Sequence, residues 1–88
     1  MKTITLDARK MLTIEKTHEY LAKKCRFPEY YGKNLDAAYD CLSTCGDTII
    51  KLKFTDALEK NLGDYGKAFL KVLTDAANNN SKLIIEIK

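Results

Sequence analysis

Apolar residues recur with a period of two at both ends of this chain and in its middle, and with a helical period between. Residues 3–6 put Ile4 and Leu6 on one side of a short strand that ends at Asp7 and Ala8. From 13 to 25, Ile14, Leu21, Ala22 and Cys25, with His18 among them, fall at helical spacing, and Lys16, Glu19, Lys23 and Lys24 fall opposite. Pro28 biases its predecessor away from the helical region, so residues 26–32 stop this helix. Asn34 suits an N-cap, and Leu35, Ala38, Tyr39 and Leu42 then recur at i, i+3, i+4 and i+7 before Gly46 ends the second helix. Residues 48–54 read as a strand with Ile50, Leu52 and Phe54 on one face. Lys51 and Lys53 on the other place it at a sheet edge or leave one face wet.

Thr55 is a candidate cap for a short third helix through Leu62, with Asp56 and Glu59 in its first turn and Gly63 as its breaker. Residues 64–78 form a longer helix that carries Tyr65, Phe69, Val72, Leu73 and Ala76 inward. Asn78, Asn79 and Asn80 form a turn cluster tolerant of left-handed backbone, and residues 82–88 close the chain as a strand. The order β-α-α-β-α-α-β, with a long helical connection between each pair of strands, suits a three-stranded parallel sheet with right-handed crossovers. The expected fold class is α/β, one two-layer domain over residues 1–88 with four helices.

Composition narrows the functional classes. The 88 residues are 45% hydrophobic and 31% charged, which is globular, and a chain this short buries roughly 60% of its unfolded surface. No stretch approaches the ~18 apolar residues of a membrane helix, and no secretory signal is visible at the N-terminus. Three cysteines are too few and too odd in number for a disulfide scaffold, so reduced thiols and a cytoplasmic location are expected. Cys41 reads as a small buried hydrophobe and Cys45 as the reactive thiol.

The net charge of +3 conceals an uneven distribution. Residues 1–33 hold eight bases against four acids, and residues 51–88 hold seven against five. Residues 34–50 hold Asp36, Asp40 and Asp47 and no base at all. Asp36 and Asp40 share one face of the second helix, at a mutual cost of about 0.2–0.5 kcal/mol. A solvated helix face and a patch offering carboxylates to a cationic pocket both fit these two residues. Tyr30, Tyr31 and Tyr39 around them are the amphipathic aromatics that protein-binding centres favour. No catalytic constellation accompanies them. The lone His18, on or beside an apolar stripe, has no paired carboxylate and reads as structural, and the cysteines have no metal-ligand spacing. No glycine-rich phosphate loop or nucleophile elbow occurs. Catalytic residues, metal and cofactors are all expected to be absent.

The run from Phe27 to Leu42, FPEYYGKNLDAAYDCL, closely resembles the signature of the barstar family, intracellular protein inhibitors of barnase-type ribonucleases. The resemblance extends at lower identity over nearly the whole chain and takes in His18, Gly66 and the terminal strand. It implies the family fold, a three-stranded parallel sheet with four helices. It also implies a stoichiometric inhibitor and not an enzyme, whose second helix and flanking loops fill a ribonuclease active site so that carboxylates replace RNA phosphates. By position, Asp40 is the central phosphate mimic and Asp36 its neighbour at the edge. Tyr30, Asn34 and Leu35 supply packing and hydrogen bonds, and Tyr39 a flanking aromatic contact. Thr44 in the following loop and Asp75 on the last helix, the latter offset by one position, complete the implied contact set.

This chain departs from the family at three points. Tyr39 stands where the family has Trp, the loop of residues 43–46 lacks the Gly-Trp-Val character, and the net charge is positive instead of acidic. The implied partner is an extracellular barnase-like ribonuclease in a one-to-one complex, with the free protein a monomer and no membrane or direct nucleic-acid binding. The alternatives are a module of the same fold directed at a different toxin, or a small basic RNA-binding domain that uses the first helix with Lys51 and Lys53.

Overall fold

The computed structural model describes residues 1–88. In chain order it contains β1 (Lys2–Asp7), a single 3-10 turn at Ala8–Lys10, α1 (Ile14–Cys25), α2 (Leu35–Ser43), β2 (Thr48–Lys53), α3 (Asp56–Leu62), α4 (Asp64–Asn78) and β3 (Leu83–Ile87). The strands lie in the order β1-β2-β3, and both pairs are parallel. The register aligns Ile4 with Ile50 and Ile85, and Leu6 with Leu52 and Ile87. Both helical connections step across the sheet in the same direction, so crossovers of the usual right hand lie on one face. Burial agrees: Ile4, Leu6, Ile50, Leu52 and Leu83 are inside, whereas Thr3, Thr5 and Ile84 on the opposite face are exposed. The expected α/β architecture with three parallel strands and four helices is the one observed.

Several local expectations are corrected. Of the two readings its lysines allowed, β2 takes the wet face and not the edge: it is the central strand, and Lys51 sits between Thr5 and Glu86 on the open face of the sheet. Phe54 leaves the strand with φ 59° and is 44% exposed, its ring covered by the Arg9 guanidinium at 3.8 Å, so it is no part of the core. On α1, Ile14 is 47% exposed, and the buried stripe is Thr17, His18 and Leu21. Thr17 tolerates this because its hydroxyl donates to the Thr13 carbonyl at 2.7 Å. Thr55 makes no side-chain cap for α3; its hydroxyl donates to the Lys88 carbonyl at 3.0 Å and fastens the end of the chain. The asparagine cluster forms the expected turn without using the left-handed backbone it tolerates, and Asn79 ends α4 at φ −102°. The positive φ values fall on Arg26, Lys33, Phe54 and Gly63.

α4 organises the core. Phe69, Leu73 and Ala76 are fully buried against the sheet and the other helices, while Tyr65 and Val72 are half-buried. Gly66 lets α4 approach α3 closely: a Cβ there would stand 2.6 Å from the Leu58 carbonyl oxygen. α2 packs chiefly on α4, so its position relative to the sheet is set from behind by that helix.

Candidate functional site

α2 begins at Asn34, whose extended backbone leaves its side chain free to accept from the Ala37 N–H at 2.8 Å. The same amide donates to the Gly32 carbonyl at 3.2 Å, so the turn into the helix is closed on both sides. From this start a rotation of 100° per residue brings Asp36 and Asp40 within about 40° of each other on the outer face. Both are exposed. The three ion pairs of the chain are Arg9–Asp7, Lys67–Glu59 and Lys71–Asp75, and none reaches Asp36, Asp40 or Asp47. Asp40 also lies toward the negative end of a helix whose last turn has no base, a placement costing a few tenths of a kcal/mol, about the size of one dipole interaction.

A cleft of about 660 Å³ opens beside this face. It lies between the α1–α2 connection, the second half of α2 and the first residues of β1 and β2. Tyr30, Asp40 and Thr44 line it together. Tyr30 is 87% exposed at the mouth, and the Thr44 hydroxyl donates back to the Asp40 carbonyl at 3.1 Å. All three thiols face the cleft as well. Burial pushes Cys25 up to about 12 and also raises Cys41, with the Asp40 carboxylate adding to the shift at Cys41. Cys41 is half-buried at the core margin, and the Cys45 thiol is tied down, donating to the Leu42 carbonyl at 3.3 Å.

The remaining residues of the expected set lie around α2 and not in the cleft. Leu35 is half-buried against the core beside Asn34 and Asp36. Tyr39 turns toward α4, where its hydroxyl accepts from Asn79 Nδ2 at 2.9 Å. The same Nδ2 donates to the Asp75 carbonyl at 3.0 Å, which joins Tyr39 to the Asp75 turn. The Asp75 carboxylate is 3.6 Å from Lys71, so it already has a cation.

His18 holds this surface from beneath. Its Nδ1 is 2.6 Å from the Tyr31 hydroxyl and its Nε2 is 2.6 Å from the Tyr65 hydroxyl. Both ring nitrogens are therefore engaged within a wholly buried side chain, which denies the ring any part in acid–base chemistry at the surface. Burial holds His18 below its ordinary pKa and raises Tyr31 and Tyr65. The link fastens α1 and α4 to Tyr31, the neighbour of exposed Tyr30.

The family model for Barstar (barnase inhibitor) matches residues 1–87. The chain belongs to the barstar family. A Bacillus subtilis (strain 168) protein named "Putative ribonuclease inhibitor YrdF" is 37% identical over 91 residues, covering 98% of this chain and all of that relative.

On this barstar-family scaffold, two charged residues of the cleft escape sequence reasoning, Lys2 and Arg26, and they join Asp47 of the acidic stretch there. Lys2 is distant in sequence from the acidic stretch but arrives there because β1 pairs in register with β2, Lys2 opposite Thr48, and its N–H donates to the Asp47 carbonyl at 3.0 Å. Asn80 is the other unforeseen part. Its Nδ2 donates to the Leu42 and Cys45 carbonyls, both at 3.0 Å, and so holds the C-terminal end of α2 from the turn before β3. Neither has a local signature, because strand register and turn placement decide both.

Proposed function

We propose that this protein is a stoichiometric inhibitor of a secreted barnase-like ribonuclease, acting in the cytoplasm of the producing cell. α2 and its flanking loops enter the enzyme's active site, where the Asp40 carboxylate takes the place of an RNA phosphate and Asp36 a neighbouring one. Tyr30 and Thr44 pack at the cleft, Asn34 and Leu35 at the helix start, and Tyr39 and Asp75 flank the far side. The observation that carries this reading is the pair Asp36 and Asp40: exposed, unpaired, and on one face of a helix that has no base. Their mutual repulsion and Asp40's place at the negative helix end work against the isolated fold, and a cationic pocket reverses both costs. Family membership supports inhibition over catalysis.

Titrating the purified protein into barnase, with RNA cleavage followed, tests it. Cleavage is expected to fall linearly to an end point at one equivalent. Asp40→Ala strands the enzyme's cations in a desolvated site, at a cost of about 3–5 kcal/mol, and weakens inhibition by at least a hundredfold. Undiminished cleavage at excess inhibitor refutes the target, and undiminished inhibition by Asp40→Ala refutes the mechanism.

A further inference from the structure

Two bases bracket the segment that presents Tyr30, and both hold backbone conformations that bases rarely adopt. Arg26 follows α1 at φ 56°, ψ 48°, with its N–H reaching the Ala22 carbonyl, and Lys33 precedes the Asn34 cap at φ 52°. Left-handed backbone is unfavourable for any residue with a Cβ, and Gly or Asn takes it most cheaply. Gly32 and Asn34 stand on either side of Lys33, yet the left-handed turn falls on the lysine between them.

Lys33 has a second cost. It lies at the positive end of α2, where a cation is disfavoured. Lys33 is not repaid within the molecule, and neither base forms an ion pair although both are exposed. Arg26 gains from the negative end of α1, and its left-handed cap lets the Arg26 and Phe27 N–H groups close the helix end on the Ala22 carbonyl, so the unrepaid strain is that of Lys33. Arg26 also lines the cleft with Lys2, together with Asp40 and Asp47. The contact surface therefore carries both signs, an acidic helix face with a cationic border.

We propose that Arg26 and Lys33 form a second contact element that pairs with carboxylates on the rim of the ribonuclease's active site. The inference rests on the proposed inhibition and specifies the partner further: an enzyme basic at its catalytic centre and acidic around it. This also gives the positive net charge a use, because a ribonuclease with an acidic border attracts a basic inhibitor at long range.

The test compares Lys33→Gly, Arg26→Gly, the double variant and Lys33→Arg with wild type and Asp40→Ala, all against the barnase-type ribonuclease that the wild type inhibits. Each glycine is expected to leave the urea midpoint equal or higher, because it relieves left-handed backbone, while weakening inhibition about two- to fivefold. The double variant loses about tenfold, and Lys33→Arg keeps wild-type inhibition. The losses shrink as salt rises from about 0.05 to about 0.5 M. If Asp40→Ala weakens inhibition and the glycine variants do not, the cationic border is wrong and the acidic-helix mechanism stands. If Asp40→Ala has no effect, or no such enzyme is inhibited, both fall together.

Discussion

Stability should decline as pH falls through the ordinary histidine range, and His18 alone should cause it. In the neutral ring one nitrogen donates to a tyrosine oxygen, while the other accepts from the second tyrosine's hydroxyl. Protonation turns the acceptor nitrogen into a donor, and the tyrosine that gave its hydrogen must turn it elsewhere. Neither Tyr31 nor Tyr65 has another hydroxyl partner, so protonation reverses one His–Tyr hydrogen bond and leaves that tyrosine's O–H without an acceptor, at about 1–3 kcal/mol, and adds a charge in a fully buried place. Burial thus sets the folded pKa below 6.5. Between that depressed value and ~6.5 the unfolded chain binds more protons than the folded one, so stability falls with falling pH by up to about 1.4 kcal/mol per unit. Above ~7.5 this group contributes no slope.

Urea unfolding at intervals between about pH 5 and 8 reads this directly. Asp7 does not interfere, because its hydrogen bond with Arg9 holds its carboxyl below the usual carboxylate range. His18→Gln keeps a donor and an acceptor without the titration, and its profile should be flat where that of the wild type slopes. Parallel profiles for the two proteins, or a wild type that gains stability as pH falls through 6.5, would refute the reasoning.

Gly66→Ala should destabilise by at least about 2 kcal/mol despite alanine's better helix propensity, because its Cβ would meet the Leu58 carbonyl oxygen at 2.6 Å; thermal unfolding measures it. Phe69→Ala removes the largest fully buried side chain and should cost about 3–5 kcal/mol in denaturant titration. Asn80→Ala deletes the bonds to Leu42 and Cys45 and should cost about 1–2 kcal/mol. Hydrogen exchange should then quicken at the turn after α2 before it does so in the sheet. With its thiol pushed up to about 12, Cys25 should react with iodoacetamide at pH 8 on the order of a thousandfold more slowly than an unhindered thiol, as peptide mass spectrometry would show.

Element boundaries were legible because the punctuation is local. Asn34 caps, Gly63 at φ 61° breaks, and Pro28 forbids helix just before it, each by its own backbone chemistry. Which stripe of α1 is buried was not legible. Ile14 is the better hydrophobe, yet His18 goes inside because Tyr31 and Tyr65, from distant parts of the chain, satisfy both its nitrogens. Lys51 and Lys53 made β2 ambiguous between edge and centre, and strand order resolved it, since only the sheet shows which strand has two neighbours. Phe54 followed the strand's alternation as far as the strand lasted, then turned out at a positive φ that no residue type announces. The acidic window of residues 34–50 was visible as charge. The bases that meet it, Lys2 and Arg26, were not, because parallel pairing and a helix end bring them in from outside the window.

The Asn80 clamp also bears on how the molecule is made. α2 is polymerised when about half of the chain has been made, but the side chain that holds its far end belongs to the turn before β3. Synthesis at about 5–20 residues per second therefore places a delay of seconds between the acidic helix and its support. Lys88 then donates to the Leu52 carbonyl at 2.9 Å and accepts from Thr55, so the residue after β3 is tied to the central strand and to the start of α3. A chain cut before Asn80 would lack this seam together with β3, and α2 would be left unbraced. The rigidity of α2 is thus set by residues made well after it, and a chain cut before Asn80 keeps every residue of that helix yet loses the clamp on its far end.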